Sequence, residues 1–107
     1  MPDQKVHVYE SSDNEYRVEP PLIEVKAVTD TMKVRNHSND DMVFYVIGGA
    51  FHASNPVIVA LPPKKLTTIG APVTQGTTGT LYSYQIINPK NGKKAKGNSD
   101  PVLIVEN

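Results

Sequence analysis

The chain reads as all-β: an antiparallel two-sheet β-sandwich of seven to eight short strands, immunoglobulin-like or cupredoxin-like in topology. Three observations predict this. Apolar side chains recur with a period of two rather than 3.6. Nine prolines and seven glycines break the chain at frequent intervals. No stretch carries the apolar spacing of an amphipathic helix.

The elements follow in order. Val6 and Val8 alternate with Lys5, His7 and Tyr9, Ile23, Val25 and Ala27 with Glu24 and Lys26, and Met32 and Val34 with Lys33 and Arg35. Each run predicts a strand with one face buried and one wet. Met42 to Ile47 is apolar at every position, as a central strand covered on both faces would be. Gly48-Gly49 ends it, and Ala50 to Ser54 has room for one helical turn at most. Val57 to Leu61 is a further apolar run, bracketed by Pro56 and Pro62-Pro63. Leu66 to Ile69 is short and β-rich, and Leu81 to Ile87 places Tyr82, Tyr84 and Ile86 on one face. Val102 to Val105 closes the series.

Strands this short cannot bury a core singly, so two sheets must pack face to face. A small closed barrel is the alternative. The expected core is Val6, Val8, Ile23, Val25, Val34, Phe44, Val46, Val57, Val59, Leu61, Ile69, Tyr82, Tyr84, Ile86, Val102 and Ile104.

A length of 107 residues fits one domain over residues 1–107. The chain has no cysteine, which excludes disulfides, thiolate metal sites and a cysteine nucleophile. Net charge is zero, which argues against nucleic-acid binding. Residues 1–54 hold 5 Lys/Arg against 9 Asp/Glu and residues 55–107 hold 6 against 2, but a sandwich mixes the two halves in both sheets. No apolar run is long enough for a membrane span or a leader. The expected compartment is the cytoplasm if Met1 is the native start, and the periplasm or exterior if a leader was trimmed.

The candidate sites are few. His7, His37 and His52 are weak candidates for a metal, since none stands at ligand spacing from another. His7 falls on the polar face of the first strand and His37 in a turn. Asn39-Asp40-Asp41 is acidic enough to suggest calcium, yet it lacks a spaced ligand pattern and reads as a turn. Pro89 to Gly97 carries Lys90, Lys93, Lys94 and Lys96 around Asn91-Gly92, a tight-turn signal. It reads as a solvated hairpin tip, or as a contact for an anion or acidic partner. Thr74 to Thr80 is rich in hydroxyls and glycine and reads as a connection. Asn36-His37-Ser38 is a formal glycosylation sequon. No nucleophile with its base, carboxylate pair or phosphate loop emerges, so no enzyme and no cofactor is expected.

Val34-Arg35-Asn36 before a polar turn, Leu61-Pro62-Pro63-Lys64-Lys65 and Gly79-Thr80-Leu81-Tyr82-Ser83-Tyr84 occur in one order, followed by the apolar terminal strand. Together they resemble the cupredoxins, the plastocyanin-like β-sandwich proteins, over about residues 20–105. The resemblance implies a copper held by two His, a Cys and an axial Met. The cysteine position falls on Ile86 or Gln85, the following histidine on Asn88-Pro89, the methionine within Lys90 to Lys96, and the other histidine near Asp40-Asp41-Met42. Without a thiolate the resemblance implies a fold relative that lacks the copper site, and fold does not carry function with it.

The functional expectation is a non-catalytic binding or protein-interaction module, meeting a protein partner or a second copy of itself through a sheet edge. The alternative is a metal-binding cupredoxin relative that uses histidines in place of the thiolate set. A small hydrolase or lectin is a third class, for which no residue stands out.

Overall fold

A computed structural model describes residues 3–11, 15–46, 51, 57–72, 80–96 and 101–106. Within them the chain forms ten strands and no helix. They are β1 (Asp3–Glu10), β2 (Tyr16–Glu19), β3 (Leu22–Lys26), β4 (Thr31–Asn36), β5 (Met42–Val46), β6 (Val57–Leu61), β7 (Leu66–Gly70), β8 (Thr80–Ile87), β9 (Ala95–Lys96) and β10 (Val102–Glu106). The first sheet has the order β7-β4-β1-β2-β9 and the second β3-β10-β8-β5-β6. Two strands exceed the expected count. β2 holds only two apolar residues, and β9 is two residues long beside the lysine-rich turn.

The sheets are mixed rather than antiparallel. β1 runs parallel to β4, β3 to β10 and β2 to β9. The cause is the way the chain changes layers. β2 ends at Glu19, Pro20-Pro21 carry the chain to the second sheet as β3, and β4 returns to the first sheet beside β1.

The period-two pattern does what it predicts. Val6, Val8, Met32, Val34, Phe44, Val46 and Ile86 lose nearly all contact with solvent, and their sequence neighbours point outward. Tyr16, Val18, Met42, Phe51 and Ala95 join the same cluster. Val59 and Ile69 are only partly buried against it. In β10 the expected register is off by one residue: Leu103 and Val105 are buried, while Val102 and Ile104 face outward. A strand apolar on both faces carries no alternation to read. Its register is set instead by pairing, Leu103 opposite Tyr82 and Ile23, and Val105 opposite Val25.

Four polar residues are buried: Asp30, Asn36, Ser38 and Asn88. Asn36 joins the layers, because its amide donates to the carbonyls of Asp40 (2.8 Å) and Leu61 (2.9 Å). Paired this way, its burial costs little.

Candidate functional site

On β1, odd-numbered residues point away from the core, so Lys5, His7 and Tyr9 line the outer face of the first sheet. His37 follows the last residue of β4, and its backbone N–H donates to the Val8 carbonyl (2.8 Å). That bond extends the β1–β4 pairing by one step and brings His37 onto the same face. There His7 Nδ1 and His37 Nε2 lie 2.9 Å apart. The His37 ring stacks on Tyr9 with centroids 4.4 Å apart and planes within 7°. His7 also stacks against His37, at 5.1 Å. The Lys64 ammonium donates to the His37 carbonyl (2.6 Å).

Desolvation lowers the His37 pKa from its ordinary value, and the charges of His7, Arg35 and Lys64 push it the same way. The ring therefore favours its neutral form. A short contact between two imidazoles has the same requirement, since one nitrogen must accept. Sequence spacing could not show this pair, because the two residues meet only through the parallel β1–β4 pairing. His52 lies outside the described residues. Among those residues no three His, Asp or Glu side chains gather as a metal site.

A second polar cluster sits where β2, β5 and β8 end. Tyr16 Oη donates to Asp40 Oδ2 (2.5 Å) and accepts from Asn88 Nδ2 (2.9 Å). Burial and the Asp40 bond raise the Tyr16 pKa. Ser38 Oγ donates to Asn36 Oδ1 (2.7 Å). Asp40 and Asn88, which the plastocyanin-like resemblance aligns with ligand positions, are thus joined through a tyrosine. Asn39-Asp40-Asp41 forms the turn that its composition suggests. The glycosylation sequon is closed off, since Asn36 is fully buried and its amide is used twice.

No protein family model matches the chain, and no characterised protein matches it.

The lysine segment is a tight turn, with an antiparallel bridge between Ile87 and Lys94 across it. Asn88 N–H donates to the Lys93 carbonyl and Gly92 N–H to the Asn88 carbonyl, each at 2.8 Å. Gly92 has φ +73°, a left-handed conformation that glycine adopts without strain. The turn lets the chain leave β8 in the second sheet and pair with β2 in the first as β9. Lys90, Lys93 and Lys94 are exposed on it, and Lys96 lies in β9. Thr74 to Gly79 and Asp100 lie outside the described residues.

A shallow groove of about 390 Å³ runs between β1 and β3, lined by Gln4, Lys5, Glu24, Lys26 and Asp30 among others. Its buried carboxylate is committed to the fold. Asp30 Oδ2 accepts from Lys26 N–H (2.9 Å) and from the Gln4 amide (3.4 Å).

The remaining features are edges and faces. Of the four edge strands, β3 carries Glu24 and Lys26, β7 has a register shift opposite Met32/Lys33 and ends on Gly70, and β9 has two residues. Charge, irregularity and shortness are the usual protections of a sheet edge. β6, Val57-Ile58-Val59-Ala60-Leu61, has none of them within the strand. Its exposed Ile58 opposes Tyr45, and Ala60 opposes Val43. Val43 in turn opposes Ile87. On the far side of the same sheet Ile104 opposes Leu81 and Val102 opposes Leu22 and Ser83. Leu81 is 63% exposed, Ile58 62% and Leu22 49%.

Proposed function

We propose that the protein is a non-catalytic interaction module that pairs with a second copy of itself through the edge of β6, which no described strand covers. The observation that carries this reading is the apolar edge of β6, which pairs with no further strand among the described residues, set beside three edges that carry charge, irregularity or shortness. Natural sheets blunt such edges unless something covers them. A second copy suits the strand because its sequence is self-complementary under two-fold symmetry. Antiparallel pairing centred on Val59 sets Val57 opposite the partner's Leu61 and Ile58 opposite the partner's Ala60. No charge enters the seam. Two-fold contacts between identical surfaces are the commonest form of homo-oligomer. Val43, Tyr45 and Ile87, on the outer face next to this edge, widen the contact.

We also infer that the sandwich is a cupredoxin relative without the thiolate copper site. The order of its motifs supports this, as does the tyrosine-bridged pair Asp40 and Asn88 at two aligned ligand positions.

Sedimentation equilibrium tests the pairing. The wild-type chain is expected to dimerise reversibly. The double variant Ile58→Lys/Ala60→Lys places like charges opposite each other and is expected to weaken the dimer at least tenfold. Mixing it with Ile58→Glu/Ala60→Glu is expected to restore a heterodimer. A wild-type chain that stays monomeric at every concentration, or lysine variants that dimerise as before, would overturn the proposal.

A further inference from the structure

The pair of histidines on the first sheet's outer face has a geometry that a hydrogen bond alone does not use up. Two nitrogens bound to one metal at about 2.0–2.1 Å lie about 2.9 Å apart when they occupy adjacent corners of a square, and about 3.3 Å apart at a tetrahedral angle. His7 Nδ1 and His37 Nε2 are 2.9 Å apart. We infer that His7 and His37 form a two-imidazole site for a divalent transition ion of tetragonal preference, nickel or copper, with water in the remaining positions.

Several features of the face fit. Imidazole suits both ions, and a square or tetragonal arrangement of nitrogen and oxygen donors is their characteristic geometry. The Tyr9 ring lies flat against His37 and limits its freedom, so less order has to be imposed on binding. The torsion that turns each imidazole is soft, and small rotations aim both lone pairs at a common point. Each neutral ring then carries its proton on the nitrogen that faces away from the metal.

The same surroundings bound the affinity. Arg35 is the β4 neighbour of His7, and Lys64 holds the His37 carbonyl, so two cations stand against a third. Glu19, the β2 neighbour of His7, partly offsets them. With no third protein ligand among the described residues, the site is a weak, exchangeable one. It is separate from the ligand positions that the plastocyanin-like resemblance suggests, and separate from the β6 edge.

The test uses the full chain with nickel chloride or copper chloride as the probe. Imidazole nitrogen NMR is expected to show His7 Nδ1 and His37 Nε2 shifting or broadening together, with one equivalent of metal per chain. His7→Gln and His37→Gln are each expected to weaken binding at least tenfold while amide spectra show an intact fold, and His52→Gln is expected to change it less than twofold. Electron paramagnetic resonance of the copper-loaded wild-type protein is expected to show coupling to two imidazole nitrogens. Coupling to one imidazole or none, or unchanged affinity in either His7→Gln or His37→Gln, overturns the site. The wild-type spectrum keeps the proposal open to refutation even if a variant fails to fold.

Discussion

The two sheets both bury apolar inner faces but present different outer ones. On the first sheet Asp3, Lys5, Arg17, Glu19, Lys33 and Arg35 point outward, and Lys33 Nζ lies 3.0 Å from Asp3 Oδ2. On the second, two apolar groups point outward, Leu22, Leu81, Val102 and Ile104 in one and Val43, Tyr45, Ile58 and Ile87 in the other, with Glu24, Lys26, Ser83 and Gln85 on the same face. A sandwich needs only its inner faces to fold. The outer faces are therefore under no shared demand and are free to differ. A scattered exposed leucine is ordinary, whereas Val43, Tyr45, Ile58 and Ile87 gather beside the β6 edge, the place where the proposed pairing would occur. The charged face carries the histidine pair instead.

The sheets differ inside as well, through one tyrosine each. Tyr16 of the first sheet has its hydroxyl bonded on both sides. Tyr84 of the second sheet is buried with no hydrogen-bond partner for its hydroxyl among the described residues, and burial raises its pKa. Tyr16→Phe strands the Asn88 amide and frees Asp40. It is expected to cost about 1–3 kcal/mol in urea unfolding. An unchanged midpoint would show that the network adds nothing. Tyr84→Phe removes only an unmatched polar atom and is expected to raise stability by up to about 1 kcal/mol. A loss of that size would mean that the hydroxyl has a partner, and that the sheets are alike in this respect.

The smallest effect is expected from pH. The folded pKa of His37 lies below its unfolded value of about 6.5. The unfolded chain therefore binds the proton more readily. The stability that His37 contributes is present above about pH 6.5 and is lost as pH falls through the folded pKa. His37→Gln should flatten the stability profile on that acid side, measured by unfolding across the range. An identical slope in the variant would contradict the linkage.

How much was legible depended on contrast within each strand. Where apolar and polar residues alternate, as in Ile23-Glu24-Val25-Lys26, the buried face could be named residue by residue. Where they do not, as in Val102 to Val105, the strand was visible and its register was not. Met42 to Ile47 suggested cover on both faces. In the structure Met42, Phe44 and Val46 are covered by the core, while Val43 and Tyr45 lie half-buried on the open side. The histidine pair had no such trace, because a parallel pairing between β1 and β4 places residues 30 apart side by side without any mark in local composition.

Period-two patterning and frequent turn residues were sufficient to dictate a two-layer β protein, because each pleated strand must hide one side from water. Composition alone also ruled out thiolate chemistry. Which strands became neighbours, which strand came to lie at a sheet edge and which two imidazoles met were decided by long-range pairing. Those outcomes arise from contacts between distant segments, whose energies depend on the whole assembled sheet rather than on any stretch read by itself.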